Sequence, residues 1–116
     1  MRFGIIIAAL AAAAAAAGGW SGMRPINNKD DLQRFSTAFR VPIMQKANMN
    51  FNTFKPVKYS YQVVAGMNYS IEYEIDGGKR MIVKIFEPLA YTNGMPEVQS
   101  VEFPDGAPTA ATFTQN

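Results

Sequence analysis

The stretch VKYSYQVVAGMNYSIEYEIDGGKRMIVKI, residues 57–85, alternates apolar and polar side chains almost throughout and breaks twice, at Ala65-Gly66 and at Asp76-Gly77-Gly78. A period of two is the mark of a strand with one buried and one wet face. On that pattern Val57, Tyr59, Tyr61 and Val63 face inward, and Lys58, Ser60 and Gln62 face water. Past Gly66, Met67, Tyr69, Ile71, Tyr73 and Ile75 return to the inner face, and Met81, Val83 and Ile85 continue it. The second break fixes its own register. Tyr73 can face Met81 only if Ile75 faces Lys79, because a slip of one residue reverses the faces. The loop therefore holds three residues, Asp76-Gly77-Gly78, with a glycine in the left-handed position that such turns require. Glu74 then stands opposite Arg80 as an exposed charge pair. The first break is odd in another way: apolar Val63 and Val64 stand at a hairpin tip, where polar residues are usual.

Upstream of the strands the period changes to helical. Leu32, Phe35, Phe39, Ile43 and Ala47 recur at spacings of three or four, which predicts one amphipathic helix with Phe35 and Phe39 in the core. Asn28 is placed to cap it, and Asp30 and Asp31 suit the positive end of the helix dipole. Pro42 lies within the periodic stretch. A proline there removes one hydrogen bond and presses on the carbonyl four residues back, so the helix either kinks near Ala38 or ends at Val41 and restarts. A short strand around Met23 to Ile26 precedes the helix, and Glu97 to Phe103 supplies a last strand. Beyond Pro104 the chain has little to bury except Phe113 and reads as loosely held. The order is one helix followed by strands with short connections. The fold class is α+β, one helix packed across a curved antiparallel sheet of four to five strands.

The ends bound the domain. Residues 1–17 carry a basic start at Arg2, an apolar stretch to Leu10 and an unbroken alanine run from Ala11 to Ala17. That is the layout of a secretory signal peptide, and it is short and alanine-rich for a membrane anchor. Residues 18–116 then form a single domain of 99 residues, secreted and with no membrane attachment after cleavage. Domains of this size often carry disulfides, yet this chain has no cysteine, so its stability comes from packing and the sheet ladder.

Composition also narrows the chemistry. There is no histidine, so with cysteine absent as well the chain has no imidazole base, no thiolate nucleophile and no usual zinc ligand set. An enzyme, a metal site and a bound cofactor are not expected. Without Arg2, ten basic residues face nine acidic ones, and no basic run exceeds Lys79-Arg80. A nucleic-acid partner, which needs clustered positive charge, is not expected either.

Gln62-Val63-Val64-Ala65-Gly66 resembles the Gln-x-Val-x-Gly signature of the cystatins, reversible protein inhibitors of papain-like cysteine proteases. The glycine pair Gly18-Gly19 lies 43 residues before Gln62, a helix stands between them, and Phe54-Lys55-Pro56-Val57 leads into the motif. The absence of cysteine is similar to the stefin branch, whereas stefins usually lack a signal peptide. The resemblance implies a wedge of three segments that blocks a protease cleft without covalent chemistry. By position these are Gly18 and Gly19, then Gln62, Val63, Val64, Ala65 and Gly66, then Leu89, Ala90 and Tyr91. The third departs from the family, which uses Pro-Trp or Leu-Pro there, and Tyr91 reads alternatively as a packed sheet aromatic. Val63, Val64 and Ala65 become intelligible as a contact edge, with Gly66 allowing the backbone to turn.

The implied partners are papain-like, cathepsin-type cysteine proteases. The competing function is a cystatin-fold binding or structural module without inhibitory activity. A monomer is expected, with a dimer formed by exchange of the hairpin at Gln62–Gly66 as the alternative state. Asn68-Tyr69-Ser70 is a glycosylation sequon, expected to be unmodified because a glycan there would crowd the wedge.

Overall fold

The computed structural model describes residues 19–108. Segment 1–17, read from sequence as a signal peptide, lies outside the described residues, as do Gly18 and Phe113. Five strands form one antiparallel sheet in the order β1 (Arg24–Pro25), β2 (Phe54–Val64), β3 (Gly66–Ile75), β4 (Lys79–Pro88) and β5 (Glu97–Glu102). One helical segment crosses its apolar face: α1 (Lys29–Gln33), a π turn (Arg34–Ala38) and α2 (Arg40–Ala47). The short strand expected around Met23 to Ile26 and the last strand are both present.

Helix and sheet meet in one core. Phe35, Phe39 and Ile43 are buried against Tyr69, Ile71, Tyr73, Ile75, Met81, Val83 and Ile85, with Phe51 and Phe54 closing one end. Tyr73 carries its hydroxyl into this core without leaving it unpaired, since the O–H donates to the Phe35 carbonyl at 2.8 Å. That bond draws on a carbonyl inside the π turn and ties the irregular part of the helix to the middle of the sheet.

Pro42 acts where the sequence placed the break. Its ring nitrogen offers no proton to Ala38, and the chain answers with a π turn in which the Phe39 N–H donates to the Arg34 carbonyl at 3.1 Å. Phe39 then adopts φ −92° and ψ −3°, and α2 starts afresh at Arg40. Pro42 thus falls in the first turn of a new helix, where a missing N–H leaves no intrahelical bond unmade. The extra residue in the π turn changes the phase of the apolar stripe. Leu32, expected to be part of it, is 46% exposed.

Asn28 caps α1 as expected, its Oδ1 accepting from the Asp31 N–H at 2.8 Å. Asp31 is also the fastening point of the helix. Its carboxylate accepts from Asn28 Nδ2 at 2.9 Å, from the Tyr59 hydroxyl at 3.0 Å and from Arg34 at 3.1 Å. Arg34 reaches on to Glu87 at 3.4 Å, so the helix start is linked to both β2 and β4. Burial alone would raise the Asp31 carboxyl, but the hydrogen bonds from Asn28, Tyr59 and Arg34 outweigh it and hold the group below its ordinary value.

The β3–β4 register is the one read from the sequence, Tyr73 opposite Met81 and Ile75 opposite Lys79. Gly77 and Gly78 take φ of 77° and 72°, the region open to glycine at no steric cost. Three expectations need correction. Val57 does not join the inner face, because the register shifts between Pro56 and Lys58; the bulge turns Val57 outward and leaves Phe54 and Pro56 buried. Ser60 and Gln62, expected to face water, are buried at 8% and 1% exposure. Arg80 stands opposite Glu74 but takes its ion pair elsewhere.

That partner is Asp105, in the segment read as loosely held. Arg80 donates to its carboxylate from the backbone N–H at 3.0 Å, from Nε at 3.1 Å and from Nη2 at 2.8 Å. A fork of side-chain bonds plus a backbone bond is geometrically better than an exposed contact with Glu74. The side-chain and backbone hydrogen bonds from Arg80 lower the Asp105 carboxyl to about 2. A carboxyl depressed in the folded state contributes stability above its unfolded value of roughly 3.9, and that contribution is lost as the pH falls through the folded value. NMR titration of Asp105 is expected to give a midpoint near the low folded value in the parent, returning toward about 3.9 in Arg80→Ala; a common midpoint for the two would refute the pairing.

Candidate functional site

Three segments converge at one end of the sheet, and each is brought there by backbone pairing. β2 and β3 close a tight hairpin with Val63 opposite Met67 and Val64 opposite Gly66, which leaves Ala65 at the apex. Gly66 also pairs with Pro88, so β4 ends beside that apex and hands the chain to a helical turn at Ala90–Thr92. On the other flank the Ser21 N–H donates to the Tyr61 carbonyl at 2.7 Å, and the Tyr61 N–H donates to Ser21 Oγ at 2.9 Å. β1 runs antiparallel to β2, which directs Gly19 and Trp20 toward the level of Val63. From edge to interior the row reads: N-terminal segment, first hairpin tip, second loop.

This end is apolar and open. Val63 is 57% exposed, Tyr91 81% and Met95 78%, with Trp20 and Leu89 also exposed. Ala65 and Ala90 are exposed and Val64 half-buried. Monomeric surfaces seldom gather large apolar side chains into one rim, and such a rim marks a contact surface. Tyr91 stands clear of the sheet, which rules out the packed-aromatic reading. Trp20 lies beside the N-terminal segment, and Met95 is a further member that the sequence reading did not place on this edge. Met95 carried a usable signal, a large apolar residue between Gly94 and Pro96 in a turn-rich segment, the same anomaly that singled out Val63.

The glycines differ in kind. Gly66 has φ 130°, and a Cβ there would lie 2.5 Å from the Glu87 carbonyl oxygen and 2.8 Å from the Phe86 ring. Its need for glycine is internal, set by the close approach of β4. Gly19 has no atom within 4 Å of such a Cβ, so the folded chain itself does not require glycine at that position.

Gln62 is likewise not a surface residue. Its side chain is 1% exposed, and its Oε1 accepts from Asn68 Nδ2 at 3.0 Å. The two are direct cross-strand partners. Asn68 is also 1% exposed, so the sequon asparagine has no room for a sugar in the folded protein. Mass spectrometry of folded protein from a glycosylating host is therefore expected to find Asn68 unmodified; a glycan there on a protein with native spectra would overturn this placement.

Among the described residues no group of three or more carboxylate, imidazole or thiol side chains is placed to hold a metal ion, and no helix is long and apolar enough to cross a membrane. Fold and edge together define a small α+β protein that presents a three-part apolar rim at one end of a helix-backed sheet.

Comparison with known proteins agrees with that class. The cystatin domain family matches residues 43–102. Cystatin-A1 of Sus scrofa is 33% identical over 76 residues, covering 66% of this chain and 72% of the relative. Stefin-C of Bos taurus is 35% identical over 63 residues, 54% of this chain and 62% of the relative. Cystatin-A of Mus musculus is 31% identical over 78 residues, 67% and 78% of the respective chains. The chain belongs to the cystatin family, on its stefin-like side, a family of cysteine protease inhibitors rather than enzymes.

Proposed function

We propose that this protein is a secreted, reversible, tight-binding competitive inhibitor of papain-like, cathepsin-type cysteine proteases. The observation that carries the reading is the alignment of Gly19, the Val63–Ala65 tip and the Leu89–Tyr91 loop at one end of the sheet, with apolar side chains outward. A protease cleft that accepts extended peptides has apolar walls, and an inhibitor gains affinity by offering an edge that needs little ordering on binding. The tip is stiff for a stated reason: it is a one-residue apex between paired strands, backed by Gly66 against β4. The chain, which has neither cysteine nor histidine, is proposed to act by obstruction. Gln62 and Gly66 act from behind, holding the tip, while Val63, Val64 and Ala65 supply surface. Gly18 and Gly19 would let the N-terminal segment lie close to the enzyme backbone, and Leu89, Ala90 and Tyr91 would cover the opposite flank.

Titration of purified protein against papain tests this directly. Stoichiometric, reversible loss of activity without cleavage of the inhibitor is the expected result. Absence of inhibition would favour the non-inhibiting binding module, a reading sustained by the second loop, where Leu89-Ala90-Tyr91 replaces the family's usual residues. Secretion rests on the sequence of residues 1–17, and N-terminal sequencing of protein recovered from the medium should find a chain beginning near Gly18. The protein is proposed to act as a monomer, since opening the hairpin for exchange between subunits would straighten the tip; assay of separated monomer and dimer fractions should find inhibition in the monomer.

A further inference from the structure

The buried amide pair beneath the hairpin tip has no counterpart elsewhere among the buried side chains of the described residues, whose other buried polar group is Ser60. Gln62 lies two residues before Val64 and Asn68 two residues after Gly66, on the same face of the sheet and in direct register. Burying two amides is unfavourable unless they are hydrogen-bonded, and an apolar pair would fill the same space without that requirement. The bond between them, 3.0 Å from Asn68 Nδ2 to Gln62 Oε1, is therefore a specific contact in a place where packing alone would have served. Its geometric effect follows from strand alternation. A side chain fixed on one face of a strand fixes the rotation of the strand about its own axis, and so directs its neighbour to the opposite face. With Gln62 held by Asn68 on the face of the sheet away from the helix, Val63 is directed to the opposite face, the one that carries Tyr59 and Tyr61, and there it is 57% exposed. The Asn68 Oδ1 is buried and has no hydrogen-bond partner among the described residues, so Asn68 is oriented by its donor side, through the bond to Gln62.

We infer that Asn68, which lies outside the five-residue motif, is a positioning residue that acts through Gln62 to fix the direction of the Val63–Ala65 tip. The inference rests on the proposed inhibition, because it concerns the aim of the same edge. Asn68 itself touches no protease; it sets the pose in which its neighbours do.

Four proteins test it: the parent, Asn68→Ala, Gln62→Met and the double variant, with Val83→Ala as a control in which a buried side chain is trimmed in the middle of the β3–β4 pair. Amide hydrogen exchange of Val64, Ala65 and Gly66 and the dissociation rate of the papain complex are measured beside thermal stability. Asn68→Ala and Gln62→Met are each expected to speed tip exchange and to raise the dissociation rate by about ten-fold, the scale of one buried hydrogen bond. The double variant should be no worse than Gln62→Met alone, since Asn68 acts through Gln62. Val83→Ala should lower stability and leave both readouts near the parent's. Gln62→Met keeps chain length and apolar packing, so it reports even if Asn68→Ala folds poorly. Parent-like exchange and dissociation in Gln62→Met, or losses that simply add in the double variant, would overturn the inference. Should the parent itself fail to inhibit papain, the exchange measurement still decides the positioning role, so the two failures are told apart.

Discussion

Gly66→Ala is expected to cut inhibition of papain by about 100-fold or more while costing roughly 2–4 kcal/mol of stability. The reason is local and double. At φ 130° an L side chain meets backbone strain whatever the space around it, and here there is no space: the added Cβ would sit 2.5 Å from the Glu87 carbonyl oxygen. Neither obstacle is the end of a flexible side chain that could swing away. To admit the methyl group, β3 must separate from β4 at the Gly66–Pro88 pair, and that pair is what sets the first hairpin tip beside the second loop. Both parts of the rim are disturbed at once. Inhibition constants read beside urea unfolding separate the terms, because the loss of affinity should persist well below the unfolding midpoint. If Gly66→Ala inhibits like the parent, the claim that β4 sets the tip is wrong.

Phe35→Ala is expected to have the largest effect on stability. Phe35 is fully buried, and its ring meets those of Tyr59 at 5.0 Å, Tyr69 at 5.2 Å and Phe39 at 5.7 Å. Truncating a buried phenylalanine costs about 3–5 kcal/mol, a large part of the roughly 5–15 kcal/mol that a domain of this kind has in total. At about 4–8 °C per kcal/mol for so small a domain, the melting temperature should drop by roughly 12–40 °C. Leu32→Ala supplies the contrast. The sequence period puts both residues on one stripe, yet Leu32 is largely exposed, and its truncation should change stability by no more than about 0.5 kcal/mol. Calorimetry on the two variants decides whether the stripe is broken at the π turn; equal losses would mean that it is not.

The break in that stripe shows where sequence reading stops. The phenylalanines were legible as core because a period near 3.6 holds across Phe35, Phe39 and Ile43. Pro42 announced a defect, but a proline does not say how the chain will absorb it. A kink, a restart and a π turn all accommodate the bond that proline cannot donate, and the packing of Phe35 and Phe39 against Tyr69 favours the last. Val57 is a similar case: period two assigned it inward, and a bulge at Pro56, whose ring donates no ladder bond, turned it out. The β3–β4 turn went the other way and was read in full, since inner-face parity on both strands admits one loop length.

Several features of the candidate rim were legible for a related reason. Apolar residues at a hairpin tip violate local solvation preference, so Val63, Val64 and Ala65 stood out without coordinates. Gln62 did not stand out correctly. As a polar residue in an alternating strand it was assigned to water, and nothing local shows that Asn68 waits opposite to satisfy it. Asp105 was missed as an anchor for the same reason, its partner Arg80 being 25 residues away in the chain.

The sequence by itself determined the elements, their order, the register of the second hairpin and the identity of the tip, because each follows from parity, period or a backbone rule acting within a few residues. Tertiary structure alone decided which polar side chains lie inside, which way the helix bends, and that the N-terminal segment, the hairpin tip and the second loop form one edge. Those outcomes depend on groups far apart in the chain arriving at the same place, and burial is a property of that arrival, not of any residue's neighbours in sequence.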